Sequence, residues 1–199
     1  MSEIRKGEYS IYQEELEDLA YQPKGFIEKL LFGLTKSLFK NEELHYSFSV
    51  PVSEFLRGEL FCSDISEATG ISFTQRDLMC LLLDDFLYQA KQRNNPYDIY
   101  YELNIRSEHS LKIKSYDGES KTFKTKSSGK TRIFECVIRR KEALRLEVIL
   151  SDIAEIHEER IFKVNDVLRI LYSDFIQKYK KGELVNALEN IIIRLKKNT

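Results

Sequence analysis

"DIYYELNIR", Asp98 to Arg106, decides how the second half of this 199-residue chain reads. Ile99, Tyr101, Leu103 and Ile105 alternate with Asp98, Tyr100, Glu102, Asn104 and Arg106. Successive side chains of a strand point to opposite faces, so the alternation predicts a half-buried strand. Asn94, Asn95 and Pro96 immediately before it mark a break near residue 95.

Toward the C-terminus, "LKIKSYDGESKTFK" reads as a hairpin, with Asp117-Gly118 as its turn because tight hairpin turns need positive φ at their central positions. "TRIFECVIRR" and "LRLEVILSDI" extend this to an antiparallel meander of four to five strands. "VNDVLRILYSDFIQKYKKG" then places Val164, Val167, Leu168, Leu171, Phe175 and Tyr179 on one helical face, with Asn165 as a cap and Gly182 as a stop. "ELVNALENIIIRLKK" supplies a second helix, ending in a basic turn that suits the negative end of the helix dipole.

Toward the N-terminus the pattern is helical. "PKGFIEKLLFGLTKSLFKNEELH" carries one apolar stripe at spacings of three and four, through Phe26, Leu30, Leu34 and Leu38. Pro51 interrupts it, and a short helix is expected from Ser53 to Gly58. The fold predicted is therefore α+β: residues 1–95 form a helical part, and 96–199 an antiparallel sheet with a C-terminal helical hairpin. No internal repeat or low-complexity tract stands out.

Composition narrows the class. With 42% hydrophobic residues, 12 Phe and 11 Tyr, the chain is long and apolar enough to bury a core. No apolar run reaches the roughly 20 residues of a membrane span, and "MSEIRKGEYS" lacks a secretory leader, so a cytoplasmic location is expected. Cys62, Cys80 and Cys136 are odd in number, with no Cys-x-x-Cys; neither a disulfide framework nor a zinc site is indicated, and all three read as small buried hydrophobes. The formal net charge of −1 hides an asymmetry. Between Arg106 and Arg145 twelve basic residues face five acidic ones, a local excess of +7 that leaves −8 elsewhere. Such segregation attracts phosphate.

"DISEATGISFTQRDL", Asp64 to Leu78, points to function most directly. Its "ISEATGIS" resembles the core of the helix-turn-helix of winged-helix and related bacterial regulators. In that reading Ile65 and Ala68 face the core, Gly70 takes the left-handed turn, Ile71 plugs the corner, and Ser72 or Thr74 caps the second helix. The resemblance implies a recognition helix whose first residues, Thr74, Gln75 and Arg76, meet base edges in the major groove. Lys121, Lys124, Lys126, Lys130 and Arg132 in "KTFKTKSSGKTR" form a cationic loop suited to phosphate, with Phe123 placed to stack on a base.

Two other classes are weighed. Asp98 with Glu119-Ser120-Lys121 loosely resembles a metal-dependent nuclease pattern, although that pattern uses an apolar central strand and "ESKTFKTK" is polar. His45, His109 and His157 lie far apart, and no Gly-rich phosphate loop or nucleophile elbow is present. The sequence thus favours a non-catalytic protein with no cofactor or metal that binds duplex DNA as a regulator or accessory factor. The alternative is a protein–protein adaptor of a bacterial complex, or a homodimer, anchored by aromatic residues such as Tyr9, Tyr12 and Tyr21.

Overall fold

Pro96 opens a helix, so the stretch from Asp98 to Arg106 is not a strand. The computed structural model describes residues 9–21, 42–107, 110–114, 120–124, 129–157 and 161–197. Among these the order is α1 (Ser10–Ala20), β1 (Glu43–Pro51), α2 (Val52–Thr69), α3 (Gln75–Arg93), α4 (Pro96–Ser107), β2 (Ser110–Lys114), β3 (Ser120–Lys124), β4 (Thr131–Arg139), α5 (Arg140–Ile156), α6 (Val164–Lys180) and α7 (Ala187–Lys197). The expected four- to five-stranded meander does not form. The protein is mostly helical, and its strands make two separate antiparallel pairs, β1 with β4 and β2 with β3.

Two misread segments explain the difference. In α4, Ile99 and Leu103 are buried one turn apart, while Tyr97, Tyr101 and Ile105 form an exposed stripe that is also apolar. Two apolar helical faces interleaved in this way mimic the alternation of a strand. Local contacts settle the choice: Asn95 Oδ1 accepts from the Tyr97 N–H at 3.0 Å, and Pro96 is pre-set for a first helical turn. The second segment, "LRLEVILSDI", lies in α5, where Ala143, Leu146, Leu150 and Ile153 face the core at helical spacing. The Glu142 carboxylate accepts from the Arg139 N–H at 3.2 Å and fixes that helix start.

Two further expectations shift. Gly58 lies inside α2 and does not end a short helix. The apolar stripe from Phe26 to Leu38 lies outside the described residues, as does the Asp117-Gly118 turn. Glu43, Leu44 and His45, read as the end of that N-terminal helix, begin β1. By contrast, α6 falls where expected, with Gly182 at φ +71° beyond its end, but its cap position is Lys163, whose N–H donates to the Asp166 carboxylate at 3.1 Å, and Asn165 lies inside the helix; α7 begins at Ala187, four residues after the expected start at Glu183.

The ribbon β1–β4 carries the core. Its register sets Glu43 opposite Arg139, Phe48 opposite Phe134 and Pro51 opposite Thr131. The Phe48 and Phe134 rings stack at 4.9 Å on the buried face, and Tyr172 of α6 packs against Phe134 at 4.7 Å. Burying each such ring stabilises by roughly 1.5–3 kcal/mol. Strands from before and after residue 95 thus share one core.

The order strand–helix–helix–helix occurs twice, as β1–α2–α3–α4 and β4–α5–α6–α7, with β2–β3 between them. This is an internal repeat that the linear reading missed. Eight of the sixteen residues from Glu54 to Thr69 recur 88 positions later, including Leu56-Arg57 as Leu144-Arg145 and Ser63-Asp64-Ile65 as Ser151-Asp152-Ile153. Phe73, Asp77, Asp85 and Phe86 recur 89 positions later as Phe162, Asp166, Asp174 and Phe175. The halves interlock reciprocally. The Val52 N–H donates to the Lys130 carbonyl at 3.0 Å, and the Arg140 N–H, at the equivalent position, donates to the Glu42 carbonyl at 2.7 Å. Exchanging the halves returns the same strand register, which is the relation of a two-fold pair fused into one chain.

Candidate interaction groove at the helix-turn-helix-like element

The quoted motif folds as a helix, a turn and a helix, but its polar end is engaged internally. Gly70 ends α2 at φ 70°, and its N–H donates to the Ser66 carbonyl. Thr74 caps α3: its Oγ1 accepts from the Asp77 N–H at 3.3 Å, while the Asp77 carboxylate accepts from the Thr74 N–H at 2.8 Å. Ile65 is fully buried. Ala68, expected in the core, is exposed. The corner is plugged by Phe73, whose N–H donates to Ser66 Oγ at 2.9 Å, and Ile71 is left 40% exposed.

The three residues assigned to base reading have other partners. Gln75 Oε1 accepts from the buried Tyr172 hydroxyl at 2.6 Å, and its Nε2 donates to the Phe55 carbonyl at 3.3 Å. Arg76 pairs with Glu43 of β1 at 3.0 Å. The Thr74 hydroxyl donates to Asp77 at 2.6 Å.

These residues instead rim an open groove of about 660 Å³ between α2 and the start of α3. Its apolar wall is Phe55, Leu56, Leu60 and Phe73, with Cys62 beside them and Glu59 as a carboxylate. Leu56 and Leu60 are 53% and 58% exposed, and Val52 continues their row one turn earlier. Large aliphatic side chains left in contiguous water-facing rows mark docking surfaces more than ordinary exteriors. Burial pushes the Cys62 thiol up to about 12, so it lines the groove as an uncharged group. The sequence reading missed this wall because it ended the helix at Gly58; the signal available was the spacing of four through Val52, Leu56 and Leu60.

Of the cationic residues, Arg132 is exposed on β4 and lies over the Phe55 ring at 4.1 Å, beside the groove. Lys130 is exposed near the same end of the ribbon. Lys121 and Lys124 belong to β3, and Lys126 lies outside the described residues. The structure therefore brings Thr74, Gln75, Arg76 and Arg132 around one groove.

For the nuclease pattern, Asp98 sits on helix α4 and accepts from Asn95 Nδ2 at 3.1 Å, not on a strand beside Lys121; Glu119 lies outside the described residues. Among the described residues no cluster of His, Cys, Asp or Glu has metal-binding geometry, and no helix is long and apolar enough to cross a membrane. No protein-family model, curated protein or solved structure matches the chain.

Proposed function

We propose that the protein is a non-catalytic interaction subunit that docks an apolar segment of a partner protein in the groove between α2 and α3. The observation that supports this reading is the exposed pair Leu56 and Leu60 lining a preformed concavity, with exposed Val52 one turn before them, the geometry by which apolar anchors are taken up. To test it, a photo-reactive amino acid replaces Leu60, the cross-linked protein is identified and purified, and its affinity for the wild-type chain and for Leu60→Asp is measured. Weakening by about tenfold or more is expected, because a charge would face the apolar anchor. Equal affinity for both would overturn the reading.

A second reading rests on a different surface. β2 and β3 form a discrete two-stranded antiparallel ribbon, the element that a major groove admits, and Lys112, Lys114, Lys121 and Lys124 lie along it. Together with Lys126, Lys130 and Arg132 they support attachment to the phosphates of duplex DNA. Fluorescence anisotropy of a labelled duplex should show binding that weakens steeply with salt, and Ala at Lys124, Lys126 and Lys130 should flatten that slope. No binding at low salt removes this reading; cleavage of the probe with Mg²⁺ would bring back the nuclease.

A further inference from the structure

We infer that the partner segment is an amphipathic α-helix, lying antiparallel to α2 with its first turn at Glu59. The inference rests on reading the groove as a protein-docking site, and it comes from comparing the two halves.

In the second half the corresponding groove is filled by the chain's own helix α1. The Tyr9 hydroxyl donates to the Leu150 and Phe162 carbonyls at 3.2 and 3.1 Å. The Tyr12 N–H, in the first turn of α1, donates to the Glu147 carboxylate at 2.8 Å. Further along, Glu14 and Glu15 pair with Arg140, the first residue of α5, at 2.8 and 3.3 Å. Helix α1 therefore runs antiparallel to α5, with a buried carboxylate satisfying its first-turn N–H groups.

The repeat carries Leu150, Phe162 and Glu147 onto Cys62, Phe73 and Glu59. All three line the groove of the first half. Glu59 is exposed there and accepts no hydrogen bond from a described residue. It stands where its counterpart caps a docked helix.

The differences between the halves specify the occupant. The single Ser66 hydroxyl proton is shared between the Cys62 and Phe73 carbonyls, at 2.9 and 3.2 Å, whereas Ala154 stands at the equivalent position in the second half. A tyrosine hydroxyl at this point would have to compete with Ser66 for acceptors that Ala154 leaves open to Tyr9. Val52 replaces Arg140, so glutamates at the far end of the helix would meet an apolar side chain. Helix α1 of a second copy is thus disfavoured. The helix that fits is apolar where α1 carries Tyr9, Glu14 and Glu15, and keeps its first-turn N–H groups free for Glu59.

Two synthetic peptides test this on the full chain: residues 8–21 unchanged, and the same segment with Tyr9→Phe, Glu14→Leu and Glu15→Leu. Binding is read by fluorescence anisotropy and located by methyl NMR of Leu56 and Leu60. The altered peptide should bind about tenfold tighter than the unchanged one, and Glu59→Gln should weaken it about fivefold. Leu56→Ser with Leu60→Ser should abolish binding while the circular-dichroism spectrum stays that of the wild type. If the altered peptide shifts Leu56 and Leu60 yet binds no tighter, or is indifferent to Glu59→Gln, the helix and its direction are overturned and the groove reading survives. If neither peptide shifts those methyls, the helix inference again falls, and the affinity of the cross-linked partner for Leu60→Asp separately decides whether the groove reading falls with it.

Discussion

Asp85 and Asp174 occupy equivalent positions in the two halves, and each is paired with an arginine from the last helix of the opposite half. Arg194 of α7 reaches Asp85 at 2.6 Å, and Arg106 of α4 reaches Asp174 at 3.8 Å. The pairs are alike in topology but differ in surroundings. Asp174 is 13% exposed and also pairs with Lys178, whereas Asp85 is 56% exposed. Screening by water weakens the second pair. Asp174→Asn should therefore cost about 1–2 kcal/mol in urea unfolding, and Asp85→Asn no more than about 0.5 kcal/mol. Equal losses would mean that the two pairs are not distinguished by burial.

Gly58 breaks the symmetry in the core, since its counterpart is the fully buried Leu146. A Cβ on Gly58 would collide with the Tyr172 hydroxyl and press on Gln75 Oε1. Tyr172 is itself fully buried between the ribbon and α2, so it has little room to yield. Gly58→Ala should destabilise by about 2–3 kcal/mol despite the gain in helix propensity. An unchanged urea midpoint would show that Tyr172 moves freely.

The C-terminal helices were legible because each has one clean apolar stripe and α6 is followed by Gly182. Segments with two apolar faces were not. In α4 the exposed Tyr97, Tyr101 and Ile105 interleave with the buried Ile99 and Leu103, and only the Asn95 cap and Pro96 separate helix from strand. The repeat was hidden because its halves lie far apart and share polar positions, such as Glu54 with Glu142 and Asp64 with Asp152, more than whole apolar patterns. The turn at Gly70 and the Thr74 cap were readable from local chemistry. That Gln75 bonds Tyr172 and Arg76 bonds Glu43 depends on residues 97 positions later and 33 earlier, which no local motif encodes.

That engagement separates two roles for Gln75. Replacing it with Ala removes the acceptor of the buried Tyr172 hydroxyl, leaving only the Glu54 carbonyl at 3.4 Å. A loss of about 1–2 kcal/mol is expected. Arg76→Ala, on an exposed pair, should change stability by less than about 0.5 kcal/mol. If Gln75→Ala leaves the unfolding curve unmoved, its side chain is free for a ligand after all.

The three thiols should be silent in the native protein. Burial pushes Cys62 and Cys136 up to about 12 and raises Cys80 as well. Against the ordinary thiol value of 9.0, that lowers the thiolate fraction of Cys62 and Cys136 about a thousandfold. Ellman's reagent should react slowly with the folded chain and rapidly with all three cysteines in urea. Fast reaction of one native thiol would place it in solvent.

Glu147 ties the docking of α1 to pH. Burial raises its pKa above the ordinary carboxylate value, opposed by the backbone N–H groups of Tyr12 and Ile11 and by Arg140. The folded state therefore holds this proton more tightly than the unfolded chain. Its contribution to stability is fully present below the unfolded pKa and is lost as pH rises through the higher folded value. Lowering the pH from about 7 toward about 5 should then raise the urea midpoint of the wild type relative to that of Glu147→Gln, which has no such proton to bind. A difference between the two midpoints that does not vary with pH would mean that the carboxyl is hydrated, and that α1 does not seal the groove of the second half.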